Sequence, residues 1–172
     1  MACCCKVGMN EMFIFSPILK KINKSLEIKT RFLTLGEKKL ARSIFTDQLN
    51  LDQIQIVAHR LVLPHYAISP NGHIYFHLKD WCEDFSTQNI AQQSWLIHEL
   101  VHVWQIQQGI AVVRKALLNR KYSYVLQQGK HFLNYGIEQQ AQMVQDYFIR
   151  RSQGQGCEDY ERCIPFLNPI KA

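Results

Sequence analysis

Hydrophobic positions recur at helical spacing in four stretches of the chain and at strand spacing in two. Ser16-Pro17 reads as an N-cap and first helical position, with Ile18, Ile22 and Leu26 behind it. Thr34-Leu35-Gly36-Glu37 has the form of a capping box, in which a hydroxyl and a carboxylate three residues apart satisfy each other's backbone N–H groups. It predicts a helix to about Phe45, with Leu40, Ala41, Ile44 and Phe45 as the buried stripe. Ile54–Val57 and His73–Leu78 read as strands. Asn71-Gly72 marks a turn before the second, and Leu61–His65 either extends the first or turns away at Pro64. A small antiparallel sheet is expected. Ser86 or Thr87 is expected to cap a helix over Gln88–Gln108 that stops at Gly109. Its middle is apolar nearly all round, as in a buried helix. A short helix at Val112–Leu118 and a Tyr-rich loop follow. A last helix is predicted from about Tyr135 to Arg151, with Ile137, Ala141, Val144 and Phe148 on one face.

These elements sum to one domain, the expectation for 172 residues, and the chain is long enough to bury a core without disulfides. No apolar run nears the roughly 20 residues of a membrane helix. Met12–Phe15 is cut by Ser16-Pro17 and lacks a small-residue cleavage site, so a signal peptide is not expected there. Production in a cytoplasm is the expectation, with export by a route that reads no N-terminal signal left open. Twenty Lys and Arg against fourteen Asp and Glu give a net charge of +6. Basic flanks enclose an acidic middle, but no nucleic-acid motif accompanies them, so a solvated surface and no nucleic-acid partner are expected. The six cysteines include no Cys-x-x-Cys pair. Free thiols are expected, with Cys157 and Cys163 bridging only in an oxidising compartment.

The chemistry concentrates at His98-Glu99-Leu100-Val101-His102, in the middle of a predicted helix. Histidines four apart share a face with Cβ atoms about 5–6 Å apart, close enough for two imidazoles to meet one Zn2+. Glu99 is turned about 100° from His98, which frees it to act as a general base. A chance match to His-Glu-x-x-His is expected in roughly 1% of chains of this composition. Polar groups in a helix otherwise apolar also need partners, since each buried unpaired one costs about 1–3 kcal/mol. A catalytic zinc wants a third protein ligand and one open position. The candidates are His131, Glu138, Asp146 and the tail acids. Glu138 is favoured: it opens the last helix, and Ala141 lets two helices approach closely.

His98-Glu-x-x-His102 with a later Glu138-x-x-Ala141 resembles the gluzincin class of zinc metallopeptidases. A longer set is similar to small bacterial proteins known as Vgr-related, which occur with type VI secretion genes. It comprises His98-Glu-Leu-Val-His-Val-Trp-Gln105, Gly109, Tyr122-x-Tyr124, Gly129-Lys130-x-Phe132, Tyr135-x-Ile137-Glu-Gln-Gln-Ala141 and Asp146-Tyr147. Those proteins in turn resemble the zincin-like core domain of extracellular contractile injection systems. The similarity covers about residues 30 to 150. It implies a compact α+β zincin-like domain over residues 31–151, preceded by an arm and short helix (1–30) and followed by an irregular tail (152–172). It also implies one zinc per chain on His98, His102 and Glu138, with Glu99 as base.

Gluzincins usually supply a Tyr or His to the oxyanion. Tyr122, Tyr124, His131 and Tyr135 all lie between the two motifs, and the choice leans to Tyr135 or His131. The expected reaction is hydrolysis of a peptide bond in a protein or peptide substrate, held by strand addition to the edge of His73–Leu78. Three further roles fit the same residues: a non-catalytic loading piece bound to a secretion-apparatus protein, a toxin paired with an immunity protein, and a protease that cuts a repressor. Cys3, Cys4 and Cys5 have the chemistry to cap the metal and silence a zymogen.

Overall fold

The computed structural model describes residues 23–110 and 121–167. The helix expected from Ser16 lies largely outside them, and only residues 23–26 are seen, as helix. The Val112–Leu118 helix and Cys3–Cys5 lie outside them altogether. The elements are β1 (Glu27–Phe32), α1 (Leu35–Phe45), β2 (Gln55–His59), β3 (Ala67–Ile68), β4 (Ile74–Phe76), α2 (Ile90–Gln107), α3 (Ile137–Ser152) and α4 (Glu158–Cys163). The class is α+β, as expected.

Helix α1 begins where the capping box places it. The Thr34 hydroxyl accepts from the Glu37 N–H, and the Glu37 carboxylate accepts from the Thr34 N–H. Ala41, Ile44 and Phe45 are buried beneath it. Helix α2 is capped by Asn89, whose side chain accepts from the Gln92 N–H, and not by Ser86 or Thr87. Those two residues lie in a 3-10 turn, Phe85–Thr87, that packs against α1 and α2. Gly109 ends α2 in the left-handed region at φ 74°, where a side chain would be strained. Helix α3 starts at Ile137 and leaves Tyr135 outside it. It packs along α2 through Ala141, Val144 and Phe148.

The sheet runs β1-β2-β4-β3 and is mixed, which corrects the antiparallel expectation. β1 pairs antiparallel with β2, and β3 antiparallel with β4, but β2 and β4 are parallel. Leu61–His65 turns away from β2, and β3 then carries the chain back before β4 begins. That returning strand is what lets β2 and β4 run the same way. β4 is therefore interior, and the proposed docking edge at His73–Leu78 does not exist; the edges are β1 and β3. Ile56, Ile74 and Phe76 face the main core, whereas Val57 and Tyr75 form a small separate cluster with Val62.

The segment expected to be an irregular tail is partly structured. It forms α4, and Cys157, Ile164 and Phe166 are buried in the main core. The Phe166 ring lies 4.9 Å from Phe45 and 5.1 Å from Trp104. Six highly charged residues are too few to show a helical period, so this element left no signal in the hydrophobic pattern. The arm assigned to residues 1–30 likewise ends in strand, since β1 begins at Glu27. Cys157 caps α4 and Cys163 ends it, so their Cα atoms stand about 9 Å apart along the axis. That exceeds what a disulfide spans, and both thiols are free.

Candidate metal centre

His98 and His102 project from the middle of α2, and Glu138 from the first turn of α3 packed against it. All three are buried, at 7%, 6% and 8% exposure. The Glu138 Oε2 lies 3.5 Å from the His98 Nε2 and 3.3 Å from the His102 Nε2. Ligands about 2.0–2.1 Å from a tetrahedral ion stand roughly 3.3–3.4 Å apart, so these donors have the spacing that zinc needs. They are the one group of three potential ligands that converges among the described residues.

The other ring nitrogens are held by amides. His98 Nδ1 lies 3.0 Å from the Gln145 Oε1, and His102 Nδ1 lies 2.9 Å from the Gln105 Oε1. The Gln105 amide orientation is dictated by its neighbours, because its Nε2 donates to the Ile137 carbonyl and to the Gln140 Oε1. Its oxygen must therefore accept, so His102 keeps a proton on Nδ1 and turns Nε2 toward Glu138. Gln140 continues the chain by donating to the Tyr135 carbonyl. Gln105 and Gln140 are buried and tie the two ligand-bearing helices together. In the sequence each shows only as a polar residue at an otherwise buried helical position.

Glu99 is 4% exposed and its Oε2 accepts from the Ser69 hydroxyl at 2.9 Å. Ser69 follows β3, thirty residues upstream of Glu99, and sequence spacing held no sign of it. Burial pushes the His102 imidazole down, but its hydrogen bond to Glu138 and the charges of Glu99 and Glu138 more than offset this and raise it to about 9. Burial acts to raise Glu138, and the hydrogen bonds and charge of the two histidines hold it well below the usual carboxylate range. The cluster is thus built to keep a positive charge among its carboxylates.

The two favoured oxyanion residues lie elsewhere. The Tyr135 hydroxyl accepts from the Gln127 N–H and donates to the Val125 carbonyl, pinning that loop. His131 is exposed and stands at the N-cap position of the 3-10 turn Phe132–Asn134, with no capping hydrogen bond from its side chain. Tyr122 is the aromatic beside the cluster, its ring 6.1 Å from that of His98. Asp146 takes no part in the cluster and instead accepts from Tyr124.

No family model matches the sequence. The chain is 35% identical over 136 residues to the type VI secretion system spike protein VgrG2b of Pseudomonas aeruginosa, a match spanning 72% of this chain and 13% of that protein. It thus spans only a small part of that relative. The solved effector domain of Pseudomonas aeruginosa VgrG2b superposes with a TM-score of 0.68 at 32% identity, covering 78% of this chain and 82% of that one. Among the described residues no helix is long and apolar enough to cross a membrane.

Proposed function

The chain belongs to the family of the effector domain of the type VI secretion spike protein VgrG2b, and on that premise we propose that it is a zinc-dependent peptide-bond hydrolase of gluzincin type. The observation that supports this reading is the spacing of the His98, His102 and Glu138 donor atoms, which matches tetrahedral zinc, with Glu99 held beside them.

A bound Zn2+ would lower the pKa of a coordinated water to about 7 and polarise a scissile carbonyl. The residues of the chain do the rest. His98 and His102 present Nε2 because Gln145 and Gln105 engage Nδ1. Ser69 donates to Oε2 of Glu99, which leaves Oε1 to take a proton from the attacking water and return it to the leaving nitrogen. Tyr122, by its place beside His98, is the group offered to the oxyanion in place of Tyr135 and His131. Strand addition of an extended peptide passes to β3, the edge strand that runs into Ser69.

The protein would act on a protein or peptide after delivery by the secretion apparatus, with an immunity protein as its natural counterpart. Metal analysis and a peptide-mixture digest test this. One zinc per chain is expected in the wild type and in Glu99→Gln alike, with cleavage falling roughly 100-fold or more in the variant. If Glu99→Gln retains full biological effect, the protein is a zinc-bearing assembly piece and the hydrolase reading fails.

A further inference from the structure

Three residues of the longer sequence match, Tyr122, Tyr124 and Asp146, play no part in holding the metal, yet the fold brings them together. They line an open pocket of about 470 Å3 with Ser123, Gln142 and Tyr160. The Tyr124 hydroxyl donates to the Asp146 Oδ2 at 2.5 Å and lies 3.1 Å from the Tyr160 hydroxyl. Gln142 donates to the other carboxylate oxygen at 2.8 Å. Burial and the neighbouring Asp146 carboxylate push the Tyr124 phenol up, so it stays a neutral donor. Asp146 is thus fixed by uncharged groups, and among the described residues no cation pairs with it.

The pocket adjoins the metal centre. Tyr122 belongs to both, being 48% exposed with its ring 6.1 Å from His98. Gln142 lies one helical turn beyond Glu138 on α3 and Asp146 two turns, about 12 Å along the axis. An extended peptide advances about 3.3–3.6 Å per residue, so Asp146 is within reach of side chains up to three or four positions from a bond cut at the metal.

We infer that this pocket, formed by the Asp146 carboxylate and the rings of Tyr122, Tyr124 and Tyr160, binds an arginine or lysine side chain of the substrate and makes the enzyme selective for basic peptides. The inference rests on the hydrolase reading for its place in catalysis, but not for the binding itself. A carboxylate set among aromatic faces is the chemistry that recognises a desolvated cation. One tyrosine already shows it in miniature: the Arg150 guanidinium lies 6.0 Å from the Tyr160 ring centroid.

The test titrates the zinc-loaded full chain with N-acetyl-arginine amide and with its uncharged isostere N-acetyl-citrulline amide. The arginine probe is expected to bind at least tenfold more tightly. Asp146→Asn, which keeps an acceptor for Tyr124, should abolish the difference while zinc content stays at the wild-type level, and Asp146→Glu should retain it. Equal binding of the two probes by the wild type overturns the inference even if the variant fails to fold. The same proteins are then given a peptide mixture. Cleavage next to basic residues that becomes indifferent in Asp146→Asn completes the case. Discrimination between the probes without any zinc-dependent cleavage would sink the hydrolase reading and leave the pocket standing. Cleavage with no preference for basic residues would do the reverse.

Discussion

Glu37 opens α1 and Glu138 opens α3, and both are buried carboxylates in a first helical turn, yet the groups facing them differ. Glu37 receives two hydrogen bonds of 2.7 Å from the Arg31 guanidinium and two more from the N–H groups of Thr34 and Phe85. Arg31 itself also donates to the Cys82 carbonyl. Every acceptor site of that carboxylate is filled, and the cluster joins β1, α1 and the turn before α2 as a closed unit. Glu138 faces two imidazole nitrogens whose rings are already anchored at their other ends. With Glu138 they form a converging group of three potential ligands. The comparison separates a buried charge whose partners are all in place from one set among converging potential ligands.

The sharpest way to break that comparison is at Glu37. Glu37→Ala strands a mostly buried guanidinium, and removing one partner of such a pair costs about 3–5 kcal/mol. Each kcal/mol moves the melting point of a domain this size by roughly 2–4 °C, so a fall on the order of 10 °C is expected in thermal denaturation. The fall should be the same with zinc or with a chelator. A fall seen only in the zinc-loaded protein would mean that the two clusters are not independent.

Glu138→Ala should show the opposite dependence. Zinc present at 100 times its Kd stabilises the wild type by about 2.7 kcal/mol, and the variant should lose most of that. His131→Ala, changed at an exposed turn, should hold zinc within a few-fold by competition with a chelator. Were His131→Ala to release the metal and Glu138→Ala to keep it, the ligand set would be wrong. The wild type stripped of zinc also carries a pH signature. His102, raised in the fold to about 9, adds stability that is complete below its unfolded value near 6.5 and is lost as pH rises through 9. Glu138, lowered in the fold, adds stability present above its unfolded value near 4.5 and lost as pH falls below it. The stripped protein should therefore be more stable to urea at pH 6 than at pH 9.5. Zinc displaces the His102 proton, so its apparent affinity should climb about tenfold per pH unit below 9.

What could be read before folding was local in sequence. The capping box at Thr34 and Glu37 and the imidazole pair at His98 and His102 each lie within one helical turn, where spacing alone sets geometry. Glu138 could be proposed because the reading needed only a second helix with a small residue near its start, and the fold does bring it to the two histidines. The partners that decide what these groups do are distant: Arg31 with Cys82, Gln105 with Gln140, and Ser69 with Glu99 are 51, 35 and 30 residues apart. Periodicity along the chain is blind to such pairs. The parallel pairing of β2 with β4 escaped for the same reason, since it depends on where β3 folds back. The position of Tyr122 beside His98 was not legible either, because the loop that carries it has no period at all.

Ser69 offers the finest test of the comparison, because it belongs to neither carboxylate yet holds the third buried one, Glu99. A hydrogen bond to a charged group contributes about 1.5–3 kcal/mol, less whatever water restores when the hydroxyl is gone. Glu99 and Ser69 are both buried, so Ser69→Ala should cost about 1–3 kcal/mol in urea denaturation. Zinc content should not change, since neither Ser69 nor Glu99 is among the three converging ligands. Turnover should fall while substrate affinity holds, because the variant frees the base without altering the pocket walls, and Ser69→Thr should recover most of the loss. Loss of zinc from Ser69→Ala would show instead that Glu99 and the ligands form one interdependent cluster, as closed as the one around Glu37.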